Sequence, residues 1–229
     1  TYIEEAIAII ATLVTLMLIP DIVHYFLDAR KSAEVSQEGD LSRVNEDYYC
    51  DLYVPDSNIS FPVVRGIDNS KYLHTAITGE ESELGAIFMD YRCDALTSPH
   101  TIIYGHDAQD LVGNWLMFGK LRNFLEEDFI QNHPEICLYK DKEVKRYNIF
   151  AVKVTDINDD AYNLDFENEY QFNKFADQMG APENTEEILT LSTCLGEENN
   201  MRLLVQGALI KEEKPLSPLP SPDCCPANY

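Results

Sequence analysis

Basic residues are scarce in this chain: 17 Lys and Arg stand against 40 Asp and Glu in 229 residues, a formal net charge of -23 at pH 7. A surface so acidic is repelled by phosphate backbones, which argues against nucleic-acid binding. Long apolar runs are also lacking. The uncharged run near the amino end, Ala6 to Ile19, has fourteen residues. As a helix it rises only ~21 Å, short of the ~30 Å hydrocarbon core, so a full span has to draw in Tyr2-Ile3 or continue through Pro20, Asp21 and His24. No small-residue A-x-A site follows it, which speaks against a cleaved signal peptide; a helix of the buried core is the other competitor. A lone apolar segment leading into a polar linker fits a single-pass membrane anchor over residues 1–27. No Lys or Arg precedes the run, so charge asymmetry cannot orient it.

Cysteine is present but without the usual accompaniments. Six cysteines allow three bridges in fifteen pairings, and a free nucleophile among them would leave at least one more unpaired. Cys50, Cys93 and Cys137 lie in or beside apolar segments, the setting of buried, inert thiols. The vicinal Cys224-Cys225 pair has no nearby His and makes a weak metal signal. No Cys-Gly-Ser-Cys-Trp neighbourhood occurs, and the conspicuous His precedes the conspicuous Cys, opposite to the papain-like order.

What the chain does have is enough apolar content, 45%, to bury one sizeable core. Residues 28–47 are charged and suit a helical spacer. Short strand-like runs then alternate with turn residues: Ile59 to Val64, Gly85 to Tyr91, Thr101 to Tyr104, Ile136 to Tyr139, Val144 to Thr155, Ile188 to Cys194 and Met201 to Ile210. Asp141-Lys142 separates two of them as a hairpin turn. Helical spacing appears in Phe118 to Phe129 and again in Phe166 to Met179, through Tyr170, Phe172, Phe175, Ala176 and Met179. The fold class expected is mainly β with peripheral helices, a small closed β-barrel over residues 48–211. Residues 212–229 read as a disordered Pro-rich tail, since five of the eleven prolines fall in the last nineteen residues.

The pattern richest in chemistry is Ile188-Leu189-Thr190-Leu191-Ser192-Thr193-Cys194, which alternates and closes on a thiol. Side chains of a strand point alternately to opposite faces, so Thr190, Ser192 and Cys194 share one face and Leu189, Leu191 and Thr193 the other. Met201 to Gln206 reads as the antiparallel neighbour across a polar, Gly-containing loop, which brings Arg202 beside Cys194. Upstream, Thr101-Ile102-Ile103-Tyr104 runs into Gly105-His106-Asp107, a second extended segment ending on a reactive side chain. Taken singly, a Cys or His in an apolar strand is more often a core residue, and an Arg on an acidic chain more often pairs with a surface Glu.

Together and in this order, the Thr190-to-Cys194 stretch with its following Arg202, and Ile103-Tyr104-Gly105-His106, resemble the three catalytic segments of the sortases. Phe61-Pro62-Val63-Val64-Arg65-Gly66, Asp68-Asn69 with Tyr72-Leu73, Gly85 to Arg92, and Met117-Phe118-Gly119-Lys120-Leu121 are similar to class B segments. A long helix inserted before the cysteine strand is likewise a class B feature, and the likeness runs from about Leu41 to Lys211.

The resemblance implies a sortase-type barrel and a cysteine transpeptidase that cuts a sorting signal after its threonine. The thioester is then opened by an amine of a peptidoglycan precursor or a pilin. It implies Cys194 as nucleophile, His106 as acid/base and Arg202 as the oxyanion and substrate stabiliser, with Leu73, Tyr104, Ser192 and Thr193 lining the substrate groove. It further implies secreted surface proteins as substrates and a catalytic domain on the extracellular face of the membrane. No metal or organic cofactor is required by this chemistry, and acidic clusters such as Glu80-Glu81 and Glu126-Glu127-Asp128 read as solvated surface. Two rivals keep the fold: a catalytically inactive envelope barrel that only binds peptide, and a protease that releases the thioester to water.

Overall fold

The computed structural model of the chain describes residues 41–210, leaving out 96, 111, 142 and 196–199. The strands are β1 (Tyr48–Tyr53), β2 (Ser60–Val64), β3 (Ile87–Met89), β4 (His100–Gly105), β5 (Asp107–Gln109), β6 (Trp115–Met117), β7 (Glu135–Lys140), β8 (Glu143–Asp156), β9 (Ile188–Cys194) and β10 (Met201–Leu209). Among the described residues two α-helices accompany them, α1 (Glu127–Asn132) and α2 (Glu169–Met179).

Eight of these strands close into a barrel in the order β1-β2-β3-β4-β9-β10-β8-β7, with β7 returning to β1. Closure leaves the eight barrel strands without a free edge. Pairing is antiparallel except between β2 and β3 and between β4 and β9. The β7–β8 hairpin turns at Asp141, whose φ of 54° is the left-handed conformation such tight turns require.

Alternation along the strands decides what fills the barrel. Leu52, Val63, Ile87, Met89, Ile103, Leu189, Leu191, Leu203 and Val205 face inward, each at most 2% exposed. A Leu or Ile so buried contributes roughly 1.5–3 kcal/mol of transfer free energy. Phe118, Leu121 and Phe124, all fully buried, join the same core. They recur every third residue, which is the 3-10 period, and Phe118–Leu125 is indeed a 3-10 helix. The single helix expected over Phe118 to Phe129 is therefore split: Glu126 is extended (φ -93°, ψ 124°) and α1 starts after it.

The helix before the cysteine strand is present and begins at Glu169, three residues later than the spacing suggests, because the side chain of Asn168 accepts from Gln171 N (3.1 Å) and caps it there. Its Phe172, Phe175 and Ala176 pack on Ile188, on the outside of the barrel.

Three strands escape the sequence pattern. β1 begins at Tyr48, and β5 pairs with β6 in a separate hairpin hung from the end of β4. The expected spacer helix reaches the described residues only at 41–47, where Leu41–Arg43 is a short 3-10 turn. The remainder of that spacer, the anchor assigned to 1–27 and the tail assigned to 212–229 lie outside the described residues.

The single-pass membrane placement, with the catalytic domain on the extracellular face, needs correction. No helix among the described residues is long and apolar enough to cross a membrane. The longer of the two, α2, has eleven residues and rises only ~16 Å against a core of ~30 Å.

Candidate active site

Register brings the three chemistry-bearing side chains to one end of the barrel. Cys194 is the last residue of β9 and pairs directly with Arg202 of β10, so the two side chains project from the same face as neighbours. On the other side of β9, parallel β4 pairs Tyr104 with Ser192 and Gly105 with Thr193. His106 follows Gly105 directly, one residue beyond the last paired position, as Cys194 follows Thr193. Cys194, His106 and Arg202 are all half-buried.

Glycine is required just before the histidine. A Cβ on Gly105 would stand 2.4 Å from Ile87 Cδ1 and 2.7 Å from Phe118 Cγ. The absence of one lets β4 lie against the core while His106 emerges on the opposite face.

His106 is held on several sides. Its carbonyl accepts from Phe118 N (3.0 Å), and the next residue, Asp107, takes two hydrogen bonds from Arg122 (3.0 and 2.5 Å). The ring Nε2 lies 2.8 Å from the carbonyl oxygen of Leu73. A carbonyl only accepts, so Nε2 carries the proton, and Nδ1 is the nitrogen left without a partner among the described residues. Leu73 is kept in place from behind by Gly85 (φ +57°), where a Cβ would come within 2.3 Å of the Tyr72 carbonyl and 2.7 Å of that of Leu73.

Arg202 donates from Nη1 to the Met201 carbonyl (2.9 Å). Among the described residues it forms no ion pair with a carboxylate. Cys194 is a free thiol, as are the fully buried Cys50 and Cys93. Burial pushes the thiol of Cys93 up to about 11, which keeps it protonated and unreactive.

The groove residues separate by face. Leu73, 36% exposed, offers its carbonyl to His106 and its side chain to solvent. Tyr104 lies one row below His106 on the same face, its hydroxyl donating to Asp90 (3.0 Å). Burial, and after it the charge of Asp90, hold that phenol well above its ordinary range. Burial also opposes ionisation of Asp90, yet hydrogen bonds from Arg92 and Asn69 outweigh it and lower its pKa. Ser192, on the thiol's face, is bonded to the hydroxyl of Tyr162 (2.8 Å). Thr193 points the other way, into the barrel, and donates to the Gly105 carbonyl (2.8 Å), tying β9 to β4 just below the site.

Sequence reading missed Tyr162. It comes from a short 3-10 turn, Asp160–Tyr162, capped by Asp159, whose carboxylate also binds Lys153 (2.7 Å) and Thr155 on β8. Thr155 pairs with Arg202. The turn thus reaches from β8, beside Arg202, over to β9, beside Cys194. Burial raises the pKa of Tyr162; Arg202 lowers it and a charge on Cys194 raises it, so both groups act on the phenol. Only the polar turn residues Asp159-Asp160 foreshadow this segment, and they do not point at the thiol.

A thiol, an imidazole and a guanidinium at one barrel rim form a set suited to acyl transfer. The sortase-domain family model matches residues 52–210, well over half of the chain. The chain belongs to the sortase family. Among its relatives, sortase B of Listeria monocytogenes is 33% identical over 187 residues, covering 75% of this chain and 73% of that protein. The crystal structure of sortase B from Bacillus anthracis superposes with a TM-score of 0.70 at 26% identity, covering 83% of this chain and 99% of that one. A Staphylococcus aureus sortase B–substrate complex gives 0.66 at 28% identity, with 75% and 83% covered. The chain is a sortase-type cysteine transpeptidase, on a mainly β, closed-barrel fold shared with sortase B structures. Neither the inactive binding barrel nor the hydrolytic protease is favoured by these relatives.

Proposed function

We infer that Cys194, His106 and Arg202 carry the transpeptidation. The observation that bears most weight is the register of β9 with both neighbours, which aligns Arg202 with Cys194 and leaves His106 one step past Gly105.

In this reading Cys194 Sγ attacks the carbonyl carbon of a threonine in a sorting-signal peptide. The C–N bond breaks, the departing amine leaves with the proton that the imidazole has taken from the Cys194 thiol, and the acyl group remains as a thioester on sulfur. A second amine then attacks the thioester carbonyl and gives its proton to the imidazole, and the sulfur departs. With Nε2–H engaged by the Leu73 carbonyl, Nδ1 is the atom that moves these protons. Arg202, whose guanidinium keeps its charge at every relevant pH, donates hydrogen bonds to the tetrahedral oxyanion. Leu73, Tyr104 and Ser192 border the groove on the thiol's face, while Thr193 supports it from the barrel side.

The S. aureus relative was solved as a substrate complex, which supports a peptide sorting signal as the donor. The likeness to class B members supports an amine of a peptidoglycan precursor or a pilin as the acceptor. Intact-mass measurement of the protein mixed with a threonine-containing sorting peptide tests the scheme: the acyl adduct is expected on Cys194 and is expected to disappear when an acceptor amine is added. An adduct on another residue, or no adduct under turnover, rejects it.

A further inference from the structure

The outward face of the β4–β9 pair carries a row of side chains that continues below the groove to residues the chemistry above does not use. Below Cys194 and His106 on that face come Ser192 with Tyr104, Thr190 with Ile102, and Ile188 with His100. His100 is 1% exposed and sits under α2, its ring centroid 5.0 Å from that of Phe175. Its Nδ1 lies 2.7 Å from the backbone carbonyl of Asn163 and its Nε2 2.8 Å from Thr190 Oγ1.

The direction of each bond follows from what each atom can do. The Asn163 carbonyl only accepts, so Nδ1 carries the proton. Burial, working against the Asn163 hydrogen bond and the charge of Asp90, lowers the pKa of His100 to about 4, so the ring is neutral at physiological pH and Nε2 accepts from the Thr190 hydroxyl. The Thr190 oxygen in turn accepts from Gln206 Nε2 on β10 (3.1 Å). A buried relay therefore runs from β10 through β9 and His100 to the carbonyl of Asn163.

Asn163 directly follows Tyr162. Two alternate positions of β9 thus hold one short segment: Thr190 through His100 to Asn163, and Ser192 directly to the Tyr162 hydroxyl. The third position in that series is the thiol.

We propose that His100 is a positioning residue for transpeptidation: by fixing the Asn163 carbonyl it sets the Tyr162 ring as the cleft wall between Arg202 and Cys194, so that the peptide is held in register with the thiol. This rests on the Cys194 reading and adds to it a buried support that touches neither substrate nor reacting atoms. Leu at position 100 removes both ring bonds, whereas Asn keeps a donor near the place of Nδ1.

The test is a double-mutant cycle on His100→Leu and Tyr162→Phe, read as KM and kcat for a threonine-containing sorting peptide with a fixed acceptor amine. Each single change is expected to lower kcat/KM by about tenfold, chiefly through KM, the size of one lost hydrogen bond. The double variant should lose no more than the worse single one, because the two act through one element. His100→Asn should recover most of the loss. If His100→Leu does not fold, Thr190→Val, which removes the hydroxyl at constant shape, takes its place in the cycle. Losses that multiply, or wild-type KM in both His100→Leu and Thr190→Val, overturn the proposal. A wild-type chain that forms no thioester overturns the Cys194 reading and this one with it, whereas multiplying losses in an active enzyme overturn this one alone.

Discussion

The two faces of β9 are both covered, but by different chemistry. On the inner face Leu189 and Leu191 are fully buried among aliphatic and aromatic side chains, and Thr193 ends the row with a hydrogen bond to the neighbouring strand. On the outer face Thr190 and Ser192 are as buried, at 0% and 2%, yet each is engaged by a polar partner, and the row ends at a half-buried thiol. The inner row holds the barrel together without direction, since apolar burial depends on area rather than angle. The outer row is directional: the Thr190 hydroxyl meets the His100 ring and the Ser192 hydroxyl meets that of Tyr162. A single strand so separates the work of stability from the work of placing a reactive group.

Changes on the two faces should therefore separate cleanly. Cys194→Ala is expected to abolish thioester formation and ligation while leaving the urea midpoint of the barrel almost unmoved, within about 0.5 kcal/mol. Ligation by this variant, measured by mass spectrometry of the product, would break the comparison at its most reactive point. Leu191→Ala, one turn of the pleat away on the inner face, should do the reverse: a loss of about 2–5 kcal/mol in unfolding free energy, from lost transfer energy and the cavity left behind. Its remaining folded fraction should keep near-normal kcat. Arg202→Lys keeps the charge but loses the planar fork, and should lower kcat by roughly 10²-fold, about 3 kcal/mol of barrier. Wild-type kcat in that variant would remove Arg202 from the oxyanion role.

The smallest effect expected is on the pH dependence of stability. His100 has its folded pKa lowered from 6.5 to about 4, so the unfolded chain binds the proton more readily. The stability this group contributes is fully present above pH 6.5 and is lost as the pH falls from there toward 4. Asp90, lowered from 3.8, loses its contribution only below that value, outside the same window. Unfolding free energies measured between pH 7 and pH 4 should slope downward in the wild type and flatten in His100→Asn. An unchanged slope would show that the titration lies elsewhere.

Most of the short strands, the helix before the cysteine strand and the placement of Cys194, His106 and Arg202 at or beside strand ends were legible because each depends on local alternation or on a short motif. The alternation in Ile188 to Cys194 fixes which side chains share the thiol's face before any partner strand is known, since successive residues of a strand point in opposite directions. Phe118 to Phe129 misled, because an apolar spacing of three reads as helix in a window wide enough to hold both a 3-10 turn and α1. The β5–β6 hairpin was invisible, its three-residue strands being too short to show a period. The apolar run at the amino end pointed to a membrane that no described helix is long enough to cross.

Local pattern alone determined that this chain builds strands ending in Cys194 and near His106, with Arg202 on the next strand, because the periodicity of a strand and the length of a loop are properties of adjacent residues. Only the tertiary structure decided that β4 runs parallel beside β9, that Leu73 turns its carbonyl to His106, that the Tyr162 hydroxyl meets Ser192, and that His100 reaches Asn163 and Thr190. Those contacts join residues 30 to 90 positions apart, and closing such distances is a matter of register and barrel closure that no window of sequence contains.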